Sequence, residues 1–145
     1  MFESTQFNAD ISSWNMSNAT NTSRMFFGAT QFNQDISGWN VQNITTMTTM
    51  YSGATSFNQN LGSWQIASLI SAISIFANSG MSTTNYTDTI VGWANYVFTN
   101  GGPFNVNMAT QTGRTFDTSR SGGANFADAG AARTYLTTAT PTVRS

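Results

Sequence analysis

Asp10 and Asp35 stand 25 residues apart, each two places after an asparagine, Asn8 and Asn33. Carboxylate and amide oxygens in such rows are the hard donors that calcium takes. The next copy of the pattern reads Asn58 and Asn60, however, and nowhere do aspartates alternate densely as in a calcium loop. The row Asn8, Asn33, Asn58 and the row Asp10, Asp35, Asn60 are therefore expected to form a turn ladder. In that ladder side-chain oxygens accept from backbone N–H groups, and no metal is implied. Trp14, Trp39 and Trp64 recur at the same interval and offer aromatic faces on which a sugar ring would stack. Yet each has an apolar residue two places on (Met16, Val41, Ile66), and that spacing turns both toward one side. That side is expected to be core.

Other chemistries lack their residues. The 145-residue chain has no lysine, histidine or cysteine, only six carboxylates, and a net charge of −1. Acid–base catalysis needs carboxylates or imidazole in one cleft, whereas Asp88, Asp117 and Asp128 sit in unrelated contexts. No nucleophile elbow, phosphate loop or zinc pattern occurs. Four of the five arginines fall between Arg114 and Arg144, which reads as a solvated surface. The reading is no enzyme, no cofactor, no nucleic-acid partner and no membrane insertion. The opening "MFESTQFNAD" has no basic stretch ahead of an apolar one, so no signal peptide is read in it.

The elements that hold these rows repeat with a period of 25. "STQFNADISSWNM", "ATQFNQDISGWNV" and "ATSFNQNLGSWQI" superpose, and the phase runs from Met1 to Phe76. Phe7, Phe32 and Phe57, Ile11, Ile36 and Leu61, and the three tryptophans then form a structural core ladder. In "SSWNMS" the two-residue alternation predicts a short strand. Ala19, Thr22, Met25 and Phe26, matched by Ile44, Met47, Met50 and Tyr51, predict a helical or 3₁₀ turn, with Asn18 or Asn43 as N-cap and Gly28 or Gly53 at the end.

The pattern Met-Phe-x-Gly-Ala-x-x-Phe-Asn-x-Asp-Ile-Ser-x-Trp-Asn-Val-x-Asn resembles the bacterial surface protein repeat of the BspA-like family, which is related to leucine-rich repeats and is also found in phage proteins. "MSTTNYTDTIVGWANYV" and "GAARTYL" resemble the segment that closes such arrays. The resemblance implies adhesion or surface display and no defined catalytic residue.

Together these readings predict an α/β repeat solenoid, leucine-rich-repeat-like, with one short parallel strand and one short helix per turn. Three turns would fill residues 1–76. Residues 77–145 would form a mixed α+β cap, with one helix carrying Tyr86, Ile90, Trp93, Ala94 and Val97 and a second carrying Phe126, Ala129, Ala132, Arg133 and Leu136. "FNVNMATQTGRTF" would add one or two strands. The exposed strand face would present Ser13, Asn15, Ser17, Gly38, Asn40, Gln42, Ser63 and Gln65, small hydrogen-bonding groups suited to glycan or protein. The first turn would be left open, for self-assembly or a neighbouring subunit. The function expected is structural, an architectural subunit of a virion or extracellular appendage. The alternative is a surface adhesion module. Either places the protein outside the cell or on a virion.

Overall fold

The structure, a computed structural model, describes residues 1–103, 105–109, 111 and 113–138. Arg144, with the rest of 139–145, and three positions of the expected strand segment lie outside them.

The 25-residue period is realised as coils laid one on the next, but built from turns. Among the described residues there is no strand, and the two helices, α1 (Thr83–Asn100) and α2 (Ala129–Thr138), both follow the repeats. The expected α/β, leucine-rich-repeat-like solenoid is therefore corrected, as is the α+β composition of its C-terminal part. Among the described residues the bridges are isolated and parallel, Asn21 to Thr46 and Thr46 to Ser71 between coils and Ser71 to Asn107 beyond the last one.

The physical reason lies in where the N–H groups go. In the segment expected as a strand, Trp14 N–H closes a turn onto Ile11 O (3.0 Å) and Ala19 N–H onto Met16 O (2.9 Å), and later coils repeat both. Those bonds use donors that a ladder would need. Trp39 and Val41 are buried on either side of exposed Asn40, so the alternation is real without a strand. In the segment expected as a helix, alternate N–H groups reach the next coil: Thr22 to Thr46 O, Arg24 to Thr48 O, Phe26 to Met50 O and Gly28 to Ser52 O. The intervening ones, Met25, Phe27 and Ala29, close turns three residues back. Consecutive three-residue turns return buried side chains at nearly helical spacing. Positive φ at Arg24 (60°), Thr49 (53°) and Ser74 (52°) excludes a helix there. Asn43 caps nothing and instead donates to Ser17 O at 2.7 Å.

The core consists of aromatic files running through the coils. Phe2, Phe26, Tyr51 and Phe76 stack at 5.6–5.8 Å between centroids, and Phe26 and Tyr51 lie flat on Phe32 and Phe57 at 3.9 and 4.0 Å. Each such pair adds about 0.5–1.5 kcal/mol beyond the area it buries. Tyr51 alone in its file carries a hydroxyl, which is fully buried, has no hydrogen-bond partner among the described residues, and whose ionisation burial opposes strongly. Tyr51→Phe copies the neighbouring coils and removes that unmet polar atom. The variant is expected to gain about 1 kcal/mol in chemical denaturation.

Helix α1 starts where Ser82 accepts Asn85 N–H at 3.1 Å and stops at Gly101 in the left-handed region. Tyr86, Ile90, Trp93, Ala94 and Val97 are buried as the spacing predicts. In α2, Ala129, Ala132 and Leu136 are buried, while Arg133 is exposed and lies over the Phe116 ring at 5.2 Å.

Candidate interaction surfaces

The rows singled out in the sequence are brought together, the Asn and Trp rows each by a directional hydrogen bond between coils. Asn33 N–H donates to Asn8 Oδ1 at 2.9 Å and Asn58 N–H to Asn33 Oδ1 at 2.8 Å. Gln34 and Gln59, which sequence reasoning passed over, clamp the same asparagines through Nε2, at 2.8 and 3.0 Å to the Asn8 and Asn33 carbonyls. Recurrence of Gln after the asparagine in copies two and three was the available signal. In the Trp row, Trp39 Nε1 donates to Ile11 O and Trp64 Nε1 to Ile36 O, both at 3.0 Å. The rings stack at 6.5 Å, nearly parallel.

Helix α1 continues these rows without forming a coil. Ser82 N–H takes Asn58 Oδ1 (2.8 Å), Asn85 Nδ2 takes the Asn58 carbonyl (2.8 Å), and Trp93 Nε1 takes Leu61 O (2.9 Å). Trp93 also stacks on Trp64 at 6.4 Å. On the other side, Ala72 N–H and Ser74 N–H donate to Asn107 O and Ala109 O. The third coil is thus covered by groups that imitate a fourth.

The first coil is not covered in this way. Ile11, Ile36, Leu61, Phe32, Phe57, Trp39 and Trp64 are buried, but Phe7 is half-buried and Trp14 is 41% exposed against 4% and 1% for Trp39 and Trp64. The core expectation for Trp14 is corrected accordingly: among the described residues no coil lies on its outer face. Met1, Met16, Ala19, Thr22 and Met25 line a hollow of about 250 Å³ at this end.

Asp10 Oδ1 accepts Ser12 N–H at 2.9 Å, Asp35 Oδ1 accepts Ser37 N–H at 3.0 Å, and Asn60 Oδ1 accepts Gly62 N–H at 2.8 Å. The backbone N–H, then the serine hydroxyl, hold both carboxyls below the ordinary aspartate value of 3.8. A depressed folded pKa means that the contribution is present above the ordinary value and is lost as pH falls through the lowered ones. Asp10→Asn with Asp35→Asn, copying Asn60, is expected to flatten the loss of stability below about pH 4. Urea midpoints measured across that range check it.

Ser13, Asn15, Gly38, Asn40, Gln42, Ser63 and Gln65 are exposed and Ser17 is half-buried. Asn15 and Asn40 each accept an N–H two residues on (Ser17, 3.0 Å; Gln42, 3.2 Å), and Gln42 Nε2 donates to Gln65 Oε1 at 2.5 Å. Gly38, Asn40, Gln42, Ser63 and Gln65 share a shallow hollow of about 300 Å³. Beside it runs a larger groove of about 890 Å³ between the third coil and α1, which includes Ser63, Asn60, Asn95, Tyr96 and Asn125. Asp88, at its edge, is held in a two-pronged ion pair with Arg120, 3.1 Å for each hydrogen bond. The groove was not legible in sequence, because its wall joins residues some 30 positions apart.

Among the described residues no group of three or more His, Cys, Asp or Glu side chains is placed to hold a metal. No described helix is long and apolar enough to cross a membrane.

Fold and rows define a protein that repeats one turn-built coil and ends the stack with a helix that imitates the next coil. The chain belongs to the family described as "Mycoplasma protein of unknown function, DUF285", whose pattern matches residues 1–93. The match takes in all three coils and α1 as far as Trp93, the last member of the Trp row. No curated protein and no solved structure matches the chain.

Proposed function

We propose that the protein is a non-enzymatic architectural subunit of an exterior surface, a virion or an extracellular appendage, joined to a neighbouring subunit through its first coil. The observation that carries this reading is the unequal treatment of the two ends. The third coil is closed by α1, while the first leaves Trp14, Phe7 and the Met1–Met16 hollow uncovered. Apolar surface of this kind beside unpaired backbone groups is a docking surface. The finer resemblance, to the BspA-like surface repeat, supports an exterior location. Gold-labelled antibody against the native protein, viewed on intact cells and particles, tests the reading. Label confined to the interior of lysed cells would defeat it.

A second reading is supported by the polar hollow and the adjoining groove. There amides, hydroxyls and the Tyr96 ring line an uncharged concavity of a kind that takes sugar hydroxyls. In that reading the protein is an adhesion module, and binding to a glycan array by the isolated chain is the expected result.

A further inference from the structure

The exposed edge of the first coil has a hydrogen-bonding polarity, and we propose that it receives one more coil of this same repeat, presented with its acceptor side forward. This rests on reading the open coil as a docking surface and names what docks there. In the Asn, Trp and Thr rows every bond between coils runs one way, from N–H on the later coil to oxygen on the earlier one: Asn33 to Asn8, Trp39 to Ile11 and Thr45 to Thr20, each repeated onward. The first coil therefore shows the donors Asn8 N–H, Trp14 Nε1–H and Thr20 N–H, none with an acceptor among the described residues.

From the residue after each bridge onward the bonds run the opposite way, earlier N–H to later carbonyl (Thr22 to Thr46 O, Met47 to Ser71 O), and here the first coil shows Asn21 O and Ser23 O. Those are the places that Thr46 O and Thr48 O fill in the next coil. Only an edge carrying acceptors in three rows and donors in the fourth meets this set, and a coil of the repeat carries them at the required spacing. An intact second copy does not. Its matching edge is already taken by Ser82, Asn85, Trp93 and Asn107, and two first coils placed face to face would oppose donor to donor.

A second observation points the same way. Phe26 and Gly28 N–H groups reach carbonyls 24 residues ahead, but Phe2 and Ser4 reach Met25 O and Phe27 O, only 23 ahead. Residues 1–5 thus occupy the edge one residue out of register, filling part of a place shaped for a coil.

The test is a chain with a copy of residues 26–50 joined ahead of Met1, compared with the unmodified protein by hydrogen exchange of the indole N–H groups. Trp14→Phe assigns the Trp14 signal, and the signals of Trp39, Trp64 and Trp93 report that the original coils remain intact. Exchange at Trp14 Nε1–H is expected to slow on the order of a hundredfold, toward that of Trp39. In the same chain, changing the added coil's asparagine (the copy of Asn33) to alanine should release Asn8 N–H while leaving Trp14 protected. An added coil that stays unfolded on an intact chain, or Trp14 exchanging as fast as before, overturns the proposal. So does protection of Trp14 that rises with concentration in the unmodified protein, since a second copy would then be the occupant. Interior location of the protein would defeat the architectural reading and leave this result untouched.

Discussion

Trp64→Ala is expected to cost about 3–5 kcal/mol, the range for removing a fully buried tryptophan. Trp64 is 1% exposed, stacks between Trp39 and Trp93, and satisfies Ile36 O through its indole N–H. Truncation leaves a cavity between two stacked rings and removes one of the two donors on Ile36 O, Trp39 N–H remaining at 3.0 Å, so the lost hydrogen bond adds only about 0.5–1.5 kcal/mol. For a domain of this size the midpoint of thermal unfolding should fall by on the order of 10 °C. Trp64→Phe separates the two terms, keeping most of the stacking and dropping the hydrogen bond. Trp14→Ala is the internal control: same row, same sequence context, but 41% exposed and without an acceptor for its N–H among the described residues. Its cost should be less than half that of Trp64→Ala. Equal costs for the two would refute the account of the row as a series of coils each covering the one before.

How far the sequence discloses this structure depends on which physical signal is consulted. Rows that bury side chains were legible, because Phe32, Ile36 and Trp39 recur with their types intact at 57, 61 and 64 and burial follows type. The buried face of α1 was legible too, because Tyr86, Ile90, Trp93 and Val97 keep helical spacing. Strand and helix within the repeat were not, and the error is instructive. Periodicity tells which side chains share a side, but it does not tell where a backbone N–H goes. Trp39 and Val41 flank an exposed residue as strand neighbours would, while Trp39 N–H closes a turn on Ile36 O. Met47, Met50 and Tyr51 recur as helix neighbours would, while Met47 and Tyr51 N–H reach Ser71 and Ile75 on the next coil.

The imitation of a fourth coil by α1 was hidden for a related reason. Trp93 is 29 residues after Trp64 rather than 25, so a search at fixed period passes over it. The bond from its indole to Leu61 O, 2.9 Å against 3.0 Å in the two earlier coils, and its stack on Trp64 show that it holds the next place in the row. Asn85 likewise stands 26 residues after Gln59, within one of the period, but as a different residue on a helix. Its Nδ2 does for Asn58 what Gln59 Nε2 does for Asn33. The same hydrogen bonds are made from a different backbone, which leaves no trace in an alignment of like with like.

Gly92→Ala is expected to destabilise the protein, although alanine is the better helix former by about 1 kcal/mol. Gly92 lies inside α1 at the point where the helix crosses the third coil. A Cβ there would stand 2.3 Å from Gly62 O and 2.5 Å from Gly62 Cα, both backbone atoms. No side-chain rotation relieves such a contact, so the helix must lift from the coil. Lifting would strain the bonds that Ser82, Asn85 and Trp93 make to Asn58 and Leu61 and loosen the Trp64–Trp93 stack. Overpacking of this kind costs about 1–3 kcal/mol, and here it outweighs the propensity gain. The sign of the change in urea midpoint therefore reads the contact directly. A matched change on the outer face of the same helix, Thr84→Ala, meets no coil and should be neutral or slightly stabilising. If Gly92→Ala raised stability alongside it, α1 would not rest on Gly62, and the third coil would not be closed in the manner described.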